Sequence, residues 1–121
     1  MQVLEHNGIG LELPKVVCCG LPALDGGDLE TATRKIEQNV KTLLPLVREG
    51  KPIVVLGPSC GLMMKSEWPR IVDTEECRAV SAAVMDIGEF LAKQKAAGKL
   101  DTNFVAPQGT IAYHVPCHLR A

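Results

Sequence analysis

A mostly apolar set of side chains recurs at helical spacing in the second quarter of the chain. Asp28 stands at the N-cap position before this set, and Gly50 stands after it as a helix stop. Pro45 lacks an amide hydrogen and crowds the preceding turn, so we expect a kink or break near Leu44. The pattern predicts an amphipathic helix whose inner face carries Leu29, Ala32, Thr33, Ile36, Val40, Leu43 and Val47.

A second helical stripe begins after Thr74, which is a good N-cap residue. One long helix is predicted from there through about Ala97, with Gly98 as its stop. A shorter helix is predicted over residues 62–68 and should end at Pro69. The apolar stripe of the long helix consists of Val80, Val84, Ile87 and Leu91.

Three stretches of the chain carry strand patterns. Apolar residues alternate with polar or glycine residues over 9–13, after a last helical turn at 2–7. Residues 52–56 form a continuous apolar run rich in β-branched side chains, which is typical of a strand buried on both faces. Residues 111–115 have the pattern of a final strand. We predict an α/β fold with a short, mostly parallel sheet, flanking helices and right-handed βαβ connections.

Two adjacent thiols, Cys18 and Cys19, are followed directly by Gly20. Cys60 lies in a glycine-containing loop directly after the predicted buried strand. The carboxyl ends of adjacent parallel strands meet at one edge of a sheet, where open α/β sheets bind their ligands. We therefore expect Cys60 to lie near the adjacent pair.

A pair of neighbouring thiolates restricts the metal chemistry that is available. Adjacent side chains in extended backbone point apart and do not easily reach one tetrahedral ion. A cluster of several irons avoids this difficulty, because neighbouring sulfurs ligate different irons, and Gly20 lets the backbone approach the cluster closely. Three alternatives stay open: a vicinal disulfide that is oxidised and reduced, a single bound metal, and packing residues in an interaction fragment.

Cys117 lies between two imidazoles, His114 and His118. These residue types suit a Cys–His nucleophile or a zinc ligand set, but the short ligand spacing of zinc sites, such as Cys-x2-Cys, is missing. Cys77 falls in the first turn of the helix that Thr74 caps, where we interpret it as a packing residue. The three thiols near Gly20 therefore remain the strongest candidate site.

Charge and composition narrow the function classes. The chain has 13 basic and 14 acidic residues, and only 3% of it is aromatic, so the features of a nucleic-acid-binding surface are missing. No apolar run approaches the roughly 20 residues that a membrane span needs. The odd number of cysteines and the lack of a secretory leader favour a reducing compartment. We predict a cytoplasmic protein, and a complex at the inner face of the cytoplasmic membrane stays open.

Three motifs, taken in order, resemble the CCG-type cysteine-rich domain. They are Cys-Cys-Gly-Leu-Pro-Ala at 18–23 with Asp-Gly-Gly-Asp at 25–28, Pro-Ser-Cys at 58–60, and Tyr-His-Val-Pro-Cys-His at 113–118. This domain occurs in heterodisulfide reductase and in the iron–sulfur subunits of anaerobic glycerol-3-phosphate dehydrogenase, glycolate oxidase and lactate oxidation systems. The resemblance extends over nearly the whole chain.

The resemblance implies a [4Fe–4S] cluster, noncubane in the best-known members of the family. Such a cluster would pass electrons between a dehydrogenase or oxidoreductase subunit, or a ferredoxin-like carrier, and an acceptor. The implied metal ligands are Cys18, Cys19, Cys60 and Cys117, the last from a neighbouring site, and the implied surrounding groups are Gly20, Ser59 and Gly61. Hydrogen bonds from such surrounding groups tune the cluster potential.

The chain departs from the family pattern in two places. The early cysteine of the pattern would lie upstream of Met1, and the position three after Cys60 holds Met63, whose thioether is a poor iron ligand beside thiolates. By this pattern residues 1–106 are a CCG domain without its N-terminal part, and residues 107–121 are a final strand and the start of a second copy. We therefore expect the cluster in a longer protein and not in this chain alone.

Overall fold

The computed structural model describes residues 2–103, 105 and 109–119. Its helices are α1 (Gln2–His6), α2 (Leu21–Asp25), α3 (Leu29–Arg48), α4 (Pro58–Leu62), α5 (Trp68–Ile71), α6 (Glu75–Ala83) and α7 (Ile87–Ala96). A π-helical turn, Met63–Glu67, joins α4 to α5, and a 3₁₀ turn covers Cys117–Leu119. The strands are β1 (Ile53–Val55) and β2 (Val84–Asp86). The predicted domain boundary between residues 106 and 107 lies outside the described residues.

Helix α3 confirms the helix predicted from the apolar periodicity. The Asp28 carboxylate accepts a hydrogen bond from the Thr31 amide at 2.9 Å, as an N-cap residue should. Of the kink or break predicted near Leu44, a break is wrong, because the helix continues without interruption to Arg48. Pro45 lies on the exposed side of the last turn, where a carbonyl that loses its partner is solvated by water. The buried face consists of Ala32, Ile36, Asn39, Val40 and Leu43. Leu29, predicted on the inner face, is 54% exposed.

The sheet among the described residues is a parallel pair, β1 with β2. Ile53 is in register with Val84, and Val55 with Asp86. The predicted α/β class is confirmed, and so is the apolar run that forms β1. The single long helix predicted after Thr74 is wrong, because β2 divides it into α6 and α7. Asp86 ends β2 and caps α7, since its carboxylate accepts a hydrogen bond from the Gly88 amide at 2.7 Å.

The strands predicted over 9–13 and 111–115 are wrong. The structure describes both stretches, and neither belongs to a strand. Leu13 is 78% exposed and Ile111 is 80% exposed. The alternation of apolar and polar residues indicates a strand only where one face is buried, and these apolar side chains are not. The connection between the paired strands is therefore not α3, as predicted, but the helical segments from α4 to α6.

One helical run extends from Pro58 to Ile71 through α4, the π turn and α5. Cys60 therefore lies in a helix and not in the predicted loop, because Pro58 occupies the first helical position after the extended residue Gly57. The predicted helix end at Pro69 is also wrong. Pro69 is the second residue of α5, directly after the π turn, and the helical run continues past it to Ile71.

The core lies between α3, α6 and the run that contains the π turn. Its largest fully buried side chains are Trp68, Ile36, Met63, Val80, Val84 and Cys77, and Cys19 packs against this group. The contact of Cys19 with the core places the adjacent thiols at the edge of the packed interior. Among the helices of the described residues, none is long and apolar enough to cross a membrane.

Candidate metal centre

Three of the four predicted ligand sulfurs lie together. Cys18 and Cys60 are exposed, whereas Cys19 is 8% exposed. Burial raises the pKa of the Cys19 thiol to about 11, and the Leu21 amide, which hydrogen-bonds to its sulfur, partly opposes this rise. The Cys60 thiol contacts Cys19 and, like the nearby Cys18, further disfavours a negative charge there. The arrangement is a group of three neighbouring thiols, one of them buried.

We call residues 17–20 the thiol loop. Side chains, and not a neighbouring strand, bond four backbone groups of Val17, Cys18 and Cys19 in this loop. The Asn39 carbonyl oxygen accepts from the Val17 amide at 2.8 Å, and its amide nitrogen lies 3.2 Å from the carbonyl oxygens of both Val17 and Cys18. The Trp68 indole nitrogen donates to the Cys19 carbonyl at 2.8 Å. Buried backbone groups need such partners, so two core side chains replace a strand ladder here.

Gly20 ends the thiol loop in a left-handed conformation, with φ of 97°. It precedes α2 and is buried against α3 and the π turn. A Cβ atom at this position would lie 3.5 Å from the Ala32 carbonyl oxygen and 3.5 Å from the Met63 methyl carbon. The sharp turn after the two cysteines therefore depends on glycine mainly for its backbone angles.

Cys60 lies on α4, which approaches β1 closely. A Cβ atom on Gly61 would lie 3.2 Å from a methyl group of Val55, so the helix could not come as near with a larger residue. The Gly61 amide donates within the helix, to the Gly57 carbonyl at 2.9 Å. Gly61 thus sets the distance between the helix that carries Cys60 and the sheet.

Cys117 reaches the neighbourhood of α4 through the residue that follows it. His118 Nδ1 lies 2.8 Å from the hydroxyl oxygen of Ser59, the residue before Cys60. The 3₁₀ turn packs against α4, and the Cys117 thiol is exposed. Cys117 therefore lies near α4, the helix that contains Ser59, although the Ser59 hydroxyl is hydrogen-bonded to the His118 imidazole.

The arrangement of Cys18, Cys19 and Cys60 favours one kind of bound metal, an iron–sulfur cluster, over a single metal ion. Within the residues that the structure describes, no group of three or more His, Cys, Asp or Glu side chains is arranged to hold one metal ion. An iron–sulfur cluster does not require such convergence, because each thiolate binds a different iron. These three cysteines therefore fit an iron–sulfur cluster better than a single metal ion.

A family described as a cysteine-rich domain, CCG, matches residues 1–65, which is more than half of the chain. This chain belongs to the CCG cysteine-rich domain family. The resemblance inferred from the three motifs is thereby confirmed. The match contains the thiol loop, α3, β1 and Cys60, so the site lies within the family region.

The relatives of this CCG chain are much longer proteins. One subunit of the fumarate reductase (CoM/CoB) of Methanothermobacter marburgensis is 31% identical over 122 residues, which cover 98% of the chain and 22% of that protein. An uncharacterized iron–sulfur protein of Methanococcus maripaludis is 30% identical over 121 residues, 99% of the chain and 21% of that protein.

One subunit of the anaerobic glycerol-3-phosphate dehydrogenase of Escherichia coli K12 is 26% identical over 125 residues. The aligned part is 98% of the chain and 30% of that protein. The CCG chain therefore spans about a fifth to a third of the length of these relatives. No solved structure matches it.

The two residues that hold the thiol loop of this CCG domain were not among the predicted site residues. Asn39 is a polar residue on the apolar face of α3 and is 2% exposed, so its position in the helical pattern could have marked it. Trp68 is the single tryptophan of the chain, and its indole needs a partner when buried. Cys77 is fully buried, which agrees with the packing role predicted for it.

Proposed function

We propose that this chain is an iron–sulfur electron-transfer module of an oxidoreductase complex. The observation that carries the proposal is the contact between the Cys19 and Cys60 thiols, with Cys18 exposed beside them, in a chain of the CCG family. The relative from Methanococcus maripaludis is named an iron–sulfur protein, which supports the same chemistry. The cofactor we propose is a [4Fe–4S] cluster, noncubane as in the family pattern.

The proposed ligands are Cys18, Cys19 and Cys60, with Cys117 serving a neighbouring site. When bound, an iron–sulfur cluster supplies one-electron exchange. The thiol loop and α4 would hold their sulfurs toward it, and Gly20 and Gly61 permit the close approach of backbone that such a site needs. Cys19 must lose its proton to become a ligand, and its raised pKa means that metal binding releases that proton at neutral pH.

The wider assembly follows from the same family pattern. We propose that residues 1–106 form one CCG domain and that residues 107–121 begin a second copy, with Cys117 as its first cysteine. The proposed partners are a dehydrogenase or oxidoreductase subunit and a ferredoxin-like electron carrier. The proposed location is the cytoplasm, including the inner face of the cytoplasmic membrane.

Anaerobic reconstitution with iron and sulfide tests the proposal. A longer polypeptide that carries both flanking sequences should take up iron and acid-labile sulfide, absorb in the visible range, and give a paramagnetic signal. Alanine at Cys18, Cys19 or Cys60 should lower the iron content, whereas Cys77→Ala is the matched control because that thiol is buried outside the site. Lack of iron and sulfide in the longer polypeptide would refute the proposal.

A second candidate is a cluster-free dithiol module, which the contact between the Cys19 and Cys60 thiols also supports. In such a module Cys19 and Cys60 would form a disulfide while an external disulfide is reduced to two thiols, and two external thiols would reverse this two-electron step. Measurement of acid-labile sulfide separates the two candidates, because only a cluster contains it. A protein purified anaerobically with reversible thiol oxidation and no sulfide would favour the second candidate.

A further inference from the structure

The thiol loop is fixed from two sides by buried side chains. Asn39 on α3 contacts three backbone groups of Val17 and Cys18, and Trp68 on α5 contacts the Cys19 carbonyl. The hydrogen bond of the fully buried Trp68 is itself buried, and those of Asn39, which is 2% exposed, are partly buried. Competition from bulk water is therefore reduced at both residues. The backbone on both sides of the Cys19 side chain is therefore anchored to the core.

The π turn explains how Cys60 and Trp68 reach the same loop. In a regular α-helix, residues eight apart differ in direction by about 80°, because each residue turns the helix by about 100°. The Trp68 amide donates to the Met63 carbonyl five residues earlier, so the π turn takes up one extra residue. The difference in direction falls to about 20°, which is that of residues seven apart. Cys60 and Trp68 thus share one face of the helical run.

We propose that Asn39 and Trp68 are positioning residues that hold Cys19 against Cys60 before any metal binds, and that the π turn aims Trp68 at the thiol loop. The proposal deepens the proposed function and rests on it only for measurements on the metal-loaded protein. Its physical basis is preorganisation: a ligand set already in place loses less conformational freedom when it binds.

Alkylation of the metal-free chain tests this inference without a cluster. Trp68→Phe keeps an aromatic ring in the core and removes the donor to the Cys19 carbonyl. Cys19 should then react with iodoacetamide about tenfold faster, since loss of a buried hydrogen bond changes a local equilibrium by about that factor. Cys77, fully buried in α6, is the internal control and should keep its rate within about twofold. Mass spectrometry of the peptides measures both rates.

Asn39→Asp is the second variant, because it keeps the acceptor for the Val17 amide and removes the donor to the Val17 and Cys18 carbonyls. It should also raise the Cys19 rate selectively. Val80→Ala serves as the comparison for general loosening, since it opens the core at α6 and should accelerate Cys19 and Cys77 together. Equal acceleration of both cysteines in Trp68→Phe, or no change at Cys19, would overturn the proposal.

The metal-loaded protein gives a readout that a purely structural role would not change. In a reconstituted sample, Trp68→Phe should shift the reduction potential and the paramagnetic signal, whereas Cys77→Ala should leave both unchanged. An unaltered potential and signal in Trp68→Phe would contradict the positioning role. If the longer wild-type polypeptide, with both flanking sequences, takes up no iron and sulfide, the proposed function fails, and the alkylation rates still decide whether Asn39 and Trp68 position Cys19.

Discussion

Replacement of Gly20 by alanine tests the argument that the turn after the two cysteines depends on backbone angles. Gly20 has φ of 97°, which costs an L-residue about 1–2 kcal/mol. The added methyl group would meet its nearest atoms at 3.5 Å, an ordinary contact distance, so sterics add little. The lower entropy of the unfolded alanine chain offsets about 0.4–1 kcal/mol. The expected loss in the free energy of unfolding is therefore about 1 kcal/mol.

Urea unfolding followed by circular dichroism measures this loss, and two further glycines provide matched controls. Gly27 also has a positive φ, 78°, but no neighbour within 4 Å, so Gly27→Ala should lose a similar amount from the backbone angle alone. Gly10→Ala has neither a positive φ nor a close neighbour and should be neutral or slightly stabilising. If Gly20→Ala is as stable as Gly10→Ala, the backbone argument is wrong. If it loses much more than Gly27→Ala, then packing of Ala32 and Met63 around the turn is the larger effect.

Three other predictions concern the thiols and a helix cap. Mild oxidation of the metal-free chain should join Cys19 to Cys60 and not to Cys18. The Cys19 and Cys60 thiols are in contact, whereas the side chains of adjacent residues point apart. A dominant Cys18–Cys19 disulfide in peptide maps would contradict this prediction. The pKa of Cys19 is raised from 9.0 to about 11. The protonated thiol therefore contributes fully to the free energy of unfolding below pH 9, and this contribution is lost as the pH rises through 11. The urea midpoint should fall between these pH values, and it should fall less in Cys19→Ser. The Thr74 hydroxyl oxygen accepts a hydrogen bond from the Cys77 amide at 3.2 Å. Thr74→Ala removes this acceptor and should lower the free energy of unfolding by about 1 kcal/mol, whereas Thr74→Ser keeps it and should cost little.

Local signals account for the parts of the fold that could be predicted from the sequence. Helix α3 combines an apolar face, the Asp28 cap and a glycine stop, all within about twenty residues. The Thr74 cap and β1 follow from equally local patterns. Strand β2 could not be found in this way, because Val84 also fits the helical stripe of α6. Only the pairing of Val84 with Ile53, far away in sequence, decides in favour of a strand.

In the candidate site, too, local sequence patterns predict some features and miss those that depend on distant residues. The motif identifies the cysteines, and the structure brings Cys18, Cys19 and Cys60 together. The route predicted for that proximity, two adjacent parallel strands, is wrong, since the thiol loop belongs to no strand. Asn39 and Trp68 hold the loop from positions more than twenty residues away, and nothing in the local pattern around the cysteines specifies such partners.

The π turn has a consequence for how this chain should be aligned with its relatives. A helix that absorbs one additional residue in a single wide turn preserves the direction of the side chains on both sides of it. A relative with a regular α-helix at this place could therefore keep the equivalents of Cys60 and Trp68 on one face only if it is one residue shorter between them. A one-residue gap between these two positions, opposite Met63–Glu67, would then mark a difference in helix type and not a loss of the site.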